Sequence, residues 1–225
     1  MPKNNNLVLI HGFLSGSDYW HKQMPLSEYA NIIKVQLPGY GHRADEKVCD
    51  RIKDFAKSVM TQVNKQTDKN FDLMGHSMGG MIAQEVIKQN PDRVNKLILF
   101  GTGPIGDIPS RFEKISVSLV KANEESYQDG VSKAVASWFL DYDKNEDFTE
   151  AIALAERASY EAYIGGLNAM RKWNGIDNLK NIKQETLILY GEKDRTYDNS
   201  QQTLLNKNIV NSHIIGIPNL SLIHI

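Results

Sequence analysis

The chain has 225 residues, a length that suits one domain with room for an inserted subdomain. Hydrophobic residues make up 41%, enough for a sizeable core, and 26 basic against 27 acidic side chains leave a net charge of −1. This balance gives no long-range field for nucleic acid or an acidic membrane surface, and no apolar run approaches the length of a membrane span.

The opening stretch, "MPKNNNLVLIHG", has an apolar part too short for a signal peptide. The single cysteine, Cys49, rules out an internal disulfide, and with Ile52 and Lys53 at i+3 and i+4 it reads as a small side chain on a helix. A lone cysteine fits a reducing compartment, so a soluble, cytoplasmic protein is expected.

Five short apolar runs, rich in Val, Ile or Leu and stopped by glycine or proline, follow in order: "LVLIHG" (7–12), "IIKVQLPG" (32–39), "FDLMG" (71–75), "KLILFGTG" (96–103) and "TLILYG" (186–191). "HIIGIPN" (213–219) is a sixth, weaker run. Several are apolar throughout, the pattern of strands covered on both faces in a parallel sheet. Helical patterns lie between them: Val48, Ile52, Phe55, Val59 and Val63 recur at steps of three and four, and Ile82/Val86 and Ala83/Ile87 do so before "NPDR" (90–93). The alternation predicts a doubly wound α/β sheet. It breaks between residues 109 and 181, where Ala134 to Leu140, Phe148/Ile152/Ala155 and Tyr163/Leu167/Met170 carry helical patterns with no clear strand. That stretch is too patterned for a loop and reads as a helical cap.

"GHSMG" (75–79) matches G-x-S-x-G, with a strand before it and a helix after it. A serine on such a turn takes a strained backbone, small residues at 75 and 79 let strand and helix approach, and the helix N-terminus aims N–H groups at the same place. An ordinary serine N-cap would use the same turn. "HGF" (11–13) follows the first strand. An acyl-transfer site needs two N–H donors for its oxyanion, and Met78, directly after the serine, and Phe13 are the candidates. Asp194, in "LYGEKD" (189–194), stands at the carboxyl end of a strand, where a carboxylate can orient a histidine. A solvated surface aspartate is the plainer reading, and Glu192, one residue past Gly191, suits a turn.

With these motifs in place, the chain resembles an α/β-hydrolase-fold serine hydrolase of the kind with a helical cap. "LVLIHGF", "VQLPGYG", "GHSMGG", "LILFGTG" and "LILYGEKD" occur in that family's order across nearly the whole chain. The resemblance implies a doubly wound, mainly parallel sheet, with Ser77 as nucleophile, Asp194 as acid and Met78 and Phe13 at the oxyanion positions. It implies a core of 1–108 and 182–225 and a cap of 109–181. The chain begins almost on the strand that is usually third, so the sheet is expected to hold six parallel strands in the order 2-1-3-4-5-6. Arg43, in "LPGYGHR", stands where such proteins often have a small residue.

The base is the outstanding question. Of six histidines, His11 and His76 belong to the motifs above, His21 lies between the first two strands, His42 lies in the "GYGHR" loop, and His213 opens the last strand, at the end opposite Ser77. The resemblance puts the base four residues past a proline after the last strand, and four past Pro218 is Leu222. His224 is the histidine in reach. Either His224 takes the role through a shifted loop, or the segment is truncated or altered and the triad is incomplete.

The expected activity is hydrolysis of a small carboxylic ester or related acyl substrate, with Trp138, Phe139 and Tyr163 lining an acyl pocket or packing the cap. No cofactor, metal, nucleic acid or membrane partner is indicated, and oligomeric state is not readable. A lactonase or carbon–carbon bond hydrolase would use the same serine, and a non-catalytic relative would bind an acyl-like ligand.

Overall fold

The computed structural model describes residues 5–108 and 113–223. His224 therefore lies outside the described residues. Six strands form one parallel sheet: β1 (Asn6–Ile10), β2 (Asn31–Val35), β3 (Phe71–His76), β4 (Val94–Phe100), β5 (Glu185–Gly191) and β6 (Ser212–Ile217). Their spatial order is β2-β1-β3-β4-β5-β6, with every pairing parallel, as the sequence leads one to expect. The chain runs outward from β1 to β2 and then crosses back to β3. The carboxyl ends of β1 and β3 thus flank the point where winding reverses, the place where open α/β sheets form crevices.

All five residues of β1 are buried, as a central strand requires, whereas β6 alternates half-buried and exposed at the sheet edge. On one face lie α1 (Ile52–Asn64) and α2 (Met78–Gln89). α1 buries Ile52, Phe55, Ala56, Val59, Met60 and Val63 along one stripe, and α2 is buried almost all round. On the other face, the 3₁₀ segment Ser17–Glu28 lays Trp20 over Leu7, Leu9, Met74 and Phe100.

Between β4 and β5 the described chain carries α3 (Ile115–Glu124), α4 (Tyr127–Ala136), α5 (Asp147–Ala155) and α6 (Tyr160–Arg171), with no strand. α7 (Asn199–Asn208) joins β5 to β6. Two local expectations fail. Cys49 is not helical, because α1 starts only at Ile52; Val48 and the Cys49 carbonyl instead pack closely on Gly165 of α6. Burial pushes the Cys49 thiol up to about 11, away from reactivity. The helical pattern over Ala134–Leu140 also ends early, at Ala136, so Trp138 and Phe139 follow α4 in a turn. Arg43 has a structural place: it donates to the Gln36 carbonyl at 2.7 Å and pairs with Glu46 at 2.5 Å, fastening the loop after β2.

Candidate active site

Ser77 sits between β3 and α2 with φ 53° and ψ −121°, a backbone region costly for any residue with a Cβ. The surrounding glycines make this turn possible. A Cβ on Gly75 would stand 2.3 Å from the Gly79 carbonyl oxygen, and one on Gly79 would stand 2.2 Å from that of Ile10. Strand, turn and helix are therefore packed backbone against backbone. Three hydrogen bonds hold the strained residue: Ser77 N–H to the Phe100 carbonyl at 3.0 Å, Gly80 N–H to the Ser77 carbonyl at 2.9 Å, and Thr102 Oγ1 to the same carbonyl at 2.7 Å.

The β1–β3 register pairs Ile10 with Gly75 and so carries "HGF" to the serine. A Cβ on Gly12 would lie 3.2 Å from Ser77 Cβ. His11 anchors this loop. Its Nε2 accepts from Leu37 N–H at 3.1 Å, an obligatory donor, so Nδ1 carries the proton and donates to the Gly12 carbonyl at 2.8 Å. Burial pushes the imidazole down to about 4. His76 is fixed differently: its Nε2–H donates to the Leu222 carbonyl at 2.9 Å, its ring stacks on Tyr19, and burial again pushes it down to about 4.

Asp194 follows β5 and is buried; its Oδ1 accepts from the N–H groups of Thr196 at 2.7 Å and Tyr197 at 3.0 Å. Gly101, with φ 49° at the end of β4, marks where the parts converge. A Cβ there would meet Leu222 Cδ1 at 3.0 Å and both Asp194 Oδ2 and His76 Cδ2 at 3.6 Å. Leu222, the position four past Pro218, is thus a buried side chain that meets Asp194 and His76 around Gly101.

A niche of about 20 Å³ is lined by Ser77, Gly12, Phe13, His76, Trp138 and Leu222, among others. Beyond Phe13 and Trp138, which line both spaces, a chamber of about 300 Å³ opens under α3, α4 and α6, with Tyr163, Leu167 and Ala134 on its apolar side and Glu113, Lys121, Glu125 and Lys133 on its polar side. Tyr163 stacks on Phe13 at 5.7 Å. Phe139 is buried against Phe148 and lines a separate cavity of about 40 Å³. His21 pairs with Glu150 on α5, and His213 lines a groove at the far end of the sheet. Among the described residues no three histidine, cysteine or carboxylate side chains gather in a way that could hold a metal ion, and no helix is long and apolar enough to cross a membrane.

Sequence reasoning did not assign Thr102, which braces the serine carbonyl, or the contact from His76 to Leu222. The first could have been suspected from its place just after β4, in "FGTG"; the second joins residues 146 apart and has no local signal.

The alpha/beta hydrolase fold family matches residues 5–220, and the chain belongs to that family. It is 25% identical over 224 residues to a pimeloyl-[acyl-carrier protein] methyl ester esterase from Pectobacterium carotovorum, spanning 96% of this chain and 86% of that protein. It is 24% identical over 215 residues to the biotin biosynthesis bifunctional protein BioHC of Teredinibacter turnerae, where the match takes in 86% of this chain but only 37% of that longer protein. In structure it resembles the enol-lactonase from Burkholderia xenovorans LB400, with TM-score 0.86 and 19% identity over 97% of this chain and 84% of that one.

Proposed function

We propose that the protein hydrolyses a carboxylic ester through an acyl-enzyme on Ser77. The observation that carries this reading is the strained serine turn, with the Gly12–Phe13 loop against its Cβ and buried Asp194 meeting, around Gly101, the Leu222 and His76 that line the same niche. In the reaction, Ser77 Oγ attacks the ester carbonyl and loses its proton to a base. The N–H groups of Met78 and Phe13 take the developing oxyanion. The protonated base returns the proton to the departing alcohol, and water, deprotonated in turn, releases the acid. Asp194 orients the base and stabilises its cationic form. The helices α3–α6 serve as a cap, and the acyl chain extends past Phe13 and Trp138 toward Tyr163. The similarity to a methyl ester esterase supports a small alcohol as leaving group, and the enol-lactonase has the same fold.

The base is the weak member. The position four past Pro218 is Leu222, not a histidine; it lines the Ser77 niche and meets Asp194 around Gly101, and His224 is the remaining candidate by sequence. Turnover by this chain is therefore expected to be slow. The same observation favours the second reading, a protein that binds acyl compounds without turning them over. A fluorophosphonate probe separates the two. Labelling of the parent that disappears in Ser77→Ala supports the hydrolase; folded parent protein that resists the probe supports the binder.

A further inference from the structure

The residues just past α4 carry contacts that the reaction above does not use. Three consecutive carbonyls there are claimed by two separate loops. Arg195 Nη2 donates to the Phe139 carbonyl at 2.6 Å and, more loosely, to that of Ser137 at 3.4 Å. Ser221 Oγ donates to the carbonyl between them, Trp138, at 2.8 Å. Carbonyls at a helix C-terminus form the negative end of its dipole, so a guanidinium and a hydroxyl are fitting partners. Arg195 is the neighbour of Asp194, and Ser221 is the neighbour of Leu222, whose own carbonyl takes the His76 proton. The side chain carried by the middle residue, Trp138, faces the Ser77 niche.

We infer that the segment Ser137–Phe139 is a coupling plate, and that Arg195 and Ser221 are positioning residues which tie the pose of the cap to the geometry of the acid loop and the loop after β6. The plate sits where one small displacement of α4 breaks three contacts together. Trp138 lines both the chamber and the Ser77 niche, so a shift of Trp138 on substrate entry would pull on both loops. Two loops fastened to one element are coupled when that element has two arrangements, the property assigned to 137–139. For its catalytic consequence this inference rests on Asp194 serving as the acid; the mechanical coupling does not.

The test is amide hydrogen exchange on the full chain, for the parent, Arg195→Ala, Arg195→Lys, Ser221→Ala and the double alanine variant. The amides of Thr196 and Tyr197, bonded to Asp194 Oδ1, report on the acid loop. Ser221→Ala is expected to speed their exchange about three- to tenfold, and Arg195→Ala to do the same for 219–223. Because Lys193 N–H also donates directly to the Leu220 carbonyl at 2.9 Å, the double variant is decisive. A shared plate makes it little worse than the worse single variant, whereas transmission through the direct contact makes the two effects multiply. Parental exchange at 196–197 in Ser221→Ala, or multiplying effects, overturns the inference. With an ester substrate, Arg195→Ala is expected to lower kcat with a smaller change in KM, and Arg195→Lys to restore part of it. If the parent resists the fluorophosphonate, the hydrolase reading falls, and the exchange result still decides the coupling.

Discussion

Ser77 and Leu222 line one niche, but the chain builds their surroundings by different means. Around Ser77, backbone meets backbone: glycines at 75 and 79 admit carbonyl oxygens to within 2.3 Å of where a Cβ would stand, and a buried strand and a buried helix flank the turn. Around Leu222 the loop after edge strand β6 is held at Leu220 by backbone, which takes the Lys193 N–H at 2.9 Å and packs on Gly191, and at 221–222 by Ser221 to the Trp138 carbonyl and His76 to the Leu222 carbonyl. The first arrangement fixes geometry by excluded volume and tolerates almost no change of residue. In the second, the bonds are made by backbone carbonyls and Ser221 Oγ and none by the Leu222 side chain, so the identity of residue 222 is less constrained than its position. A serine turn set by sterics can therefore stay intact while the residue presented by the neighbouring loop changes.

The largest effect is expected where that rigidity is attacked. Gly79→Val places a branched side chain against the Ile10 and His11 carbonyls, which cannot retreat without breaking the β1–β3 pairing. A loss of about 4 kcal/mol or more is expected. Urea unfolding checks it, and a midpoint near that of the parent would show that the turn is not sterically fixed.

Next comes the replaceable end. Leu222→His puts an imidazole beside Asp194, and a positioned general base contributes about 10²–10⁴-fold. Turnover of p-nitrophenyl acetate is expected to rise within that range, and Asp194→Asn in the same background to remove most of the gain. Unchanged turnover in the folded variant would mean that the loop does not present residue 222 to Ser77.

This contrast also explains what could be read in advance. The parallel sheet and the Ser77 turn are written in local patterns, in apolar runs, glycines at 75 and 79 and the 3.6-residue period of α2, whereas the strand order comes only from the family resemblance that those motifs carry. Where Trp138, Phe139 and Cys49 lie depended on where helices stop, which Gly165 on a distant helix and the turn after Ala136 decide. The bonds from Arg195, Ser221 and His76 join segments 56 to 146 residues apart, and no sequence period encodes them.

A smaller effect is expected on acidification. His11 and His76 are buried neutral and held at about 4, against about 6.5 when unfolded. Below 6.5 the unfolded chain binds protons that the folded one refuses, so stability is complete above 6.5 and declines as pH falls toward 4. Each histidine accounts for up to about 3 kcal/mol across that window. Melting temperature should fall steadily from pH 7 to 4.5. His76→Phe should flatten part of that slope while releasing the loop after β6. A pH-independent melting temperature would mean that neither ring is sealed from water.

The smallest effect separates the two ends by a single kind of substitution, the change to glycine. At most sites glycine costs stability, because the unfolded chain gains freedom and a packed side chain is lost. Leu222 is such a site: it is 4% exposed, and emptying its place is expected to cost about 2 kcal/mol. Ser77 is the opposite case. With φ 53° and ψ −121° it holds its Cβ in a region that costs about 1–3 kcal/mol, and glycine relieves that strain. Alanine does not, since it keeps the Cβ. After subtracting the entropy of the more flexible unfolded chain, Ser77→Gly should be more stable than Ser77→Ala by about 1 kcal/mol, with both inert toward the fluorophosphonate. Alanine melting at or above glycine would mean that the turn is relaxed, and the steric account of the nucleophile end would have to be given up.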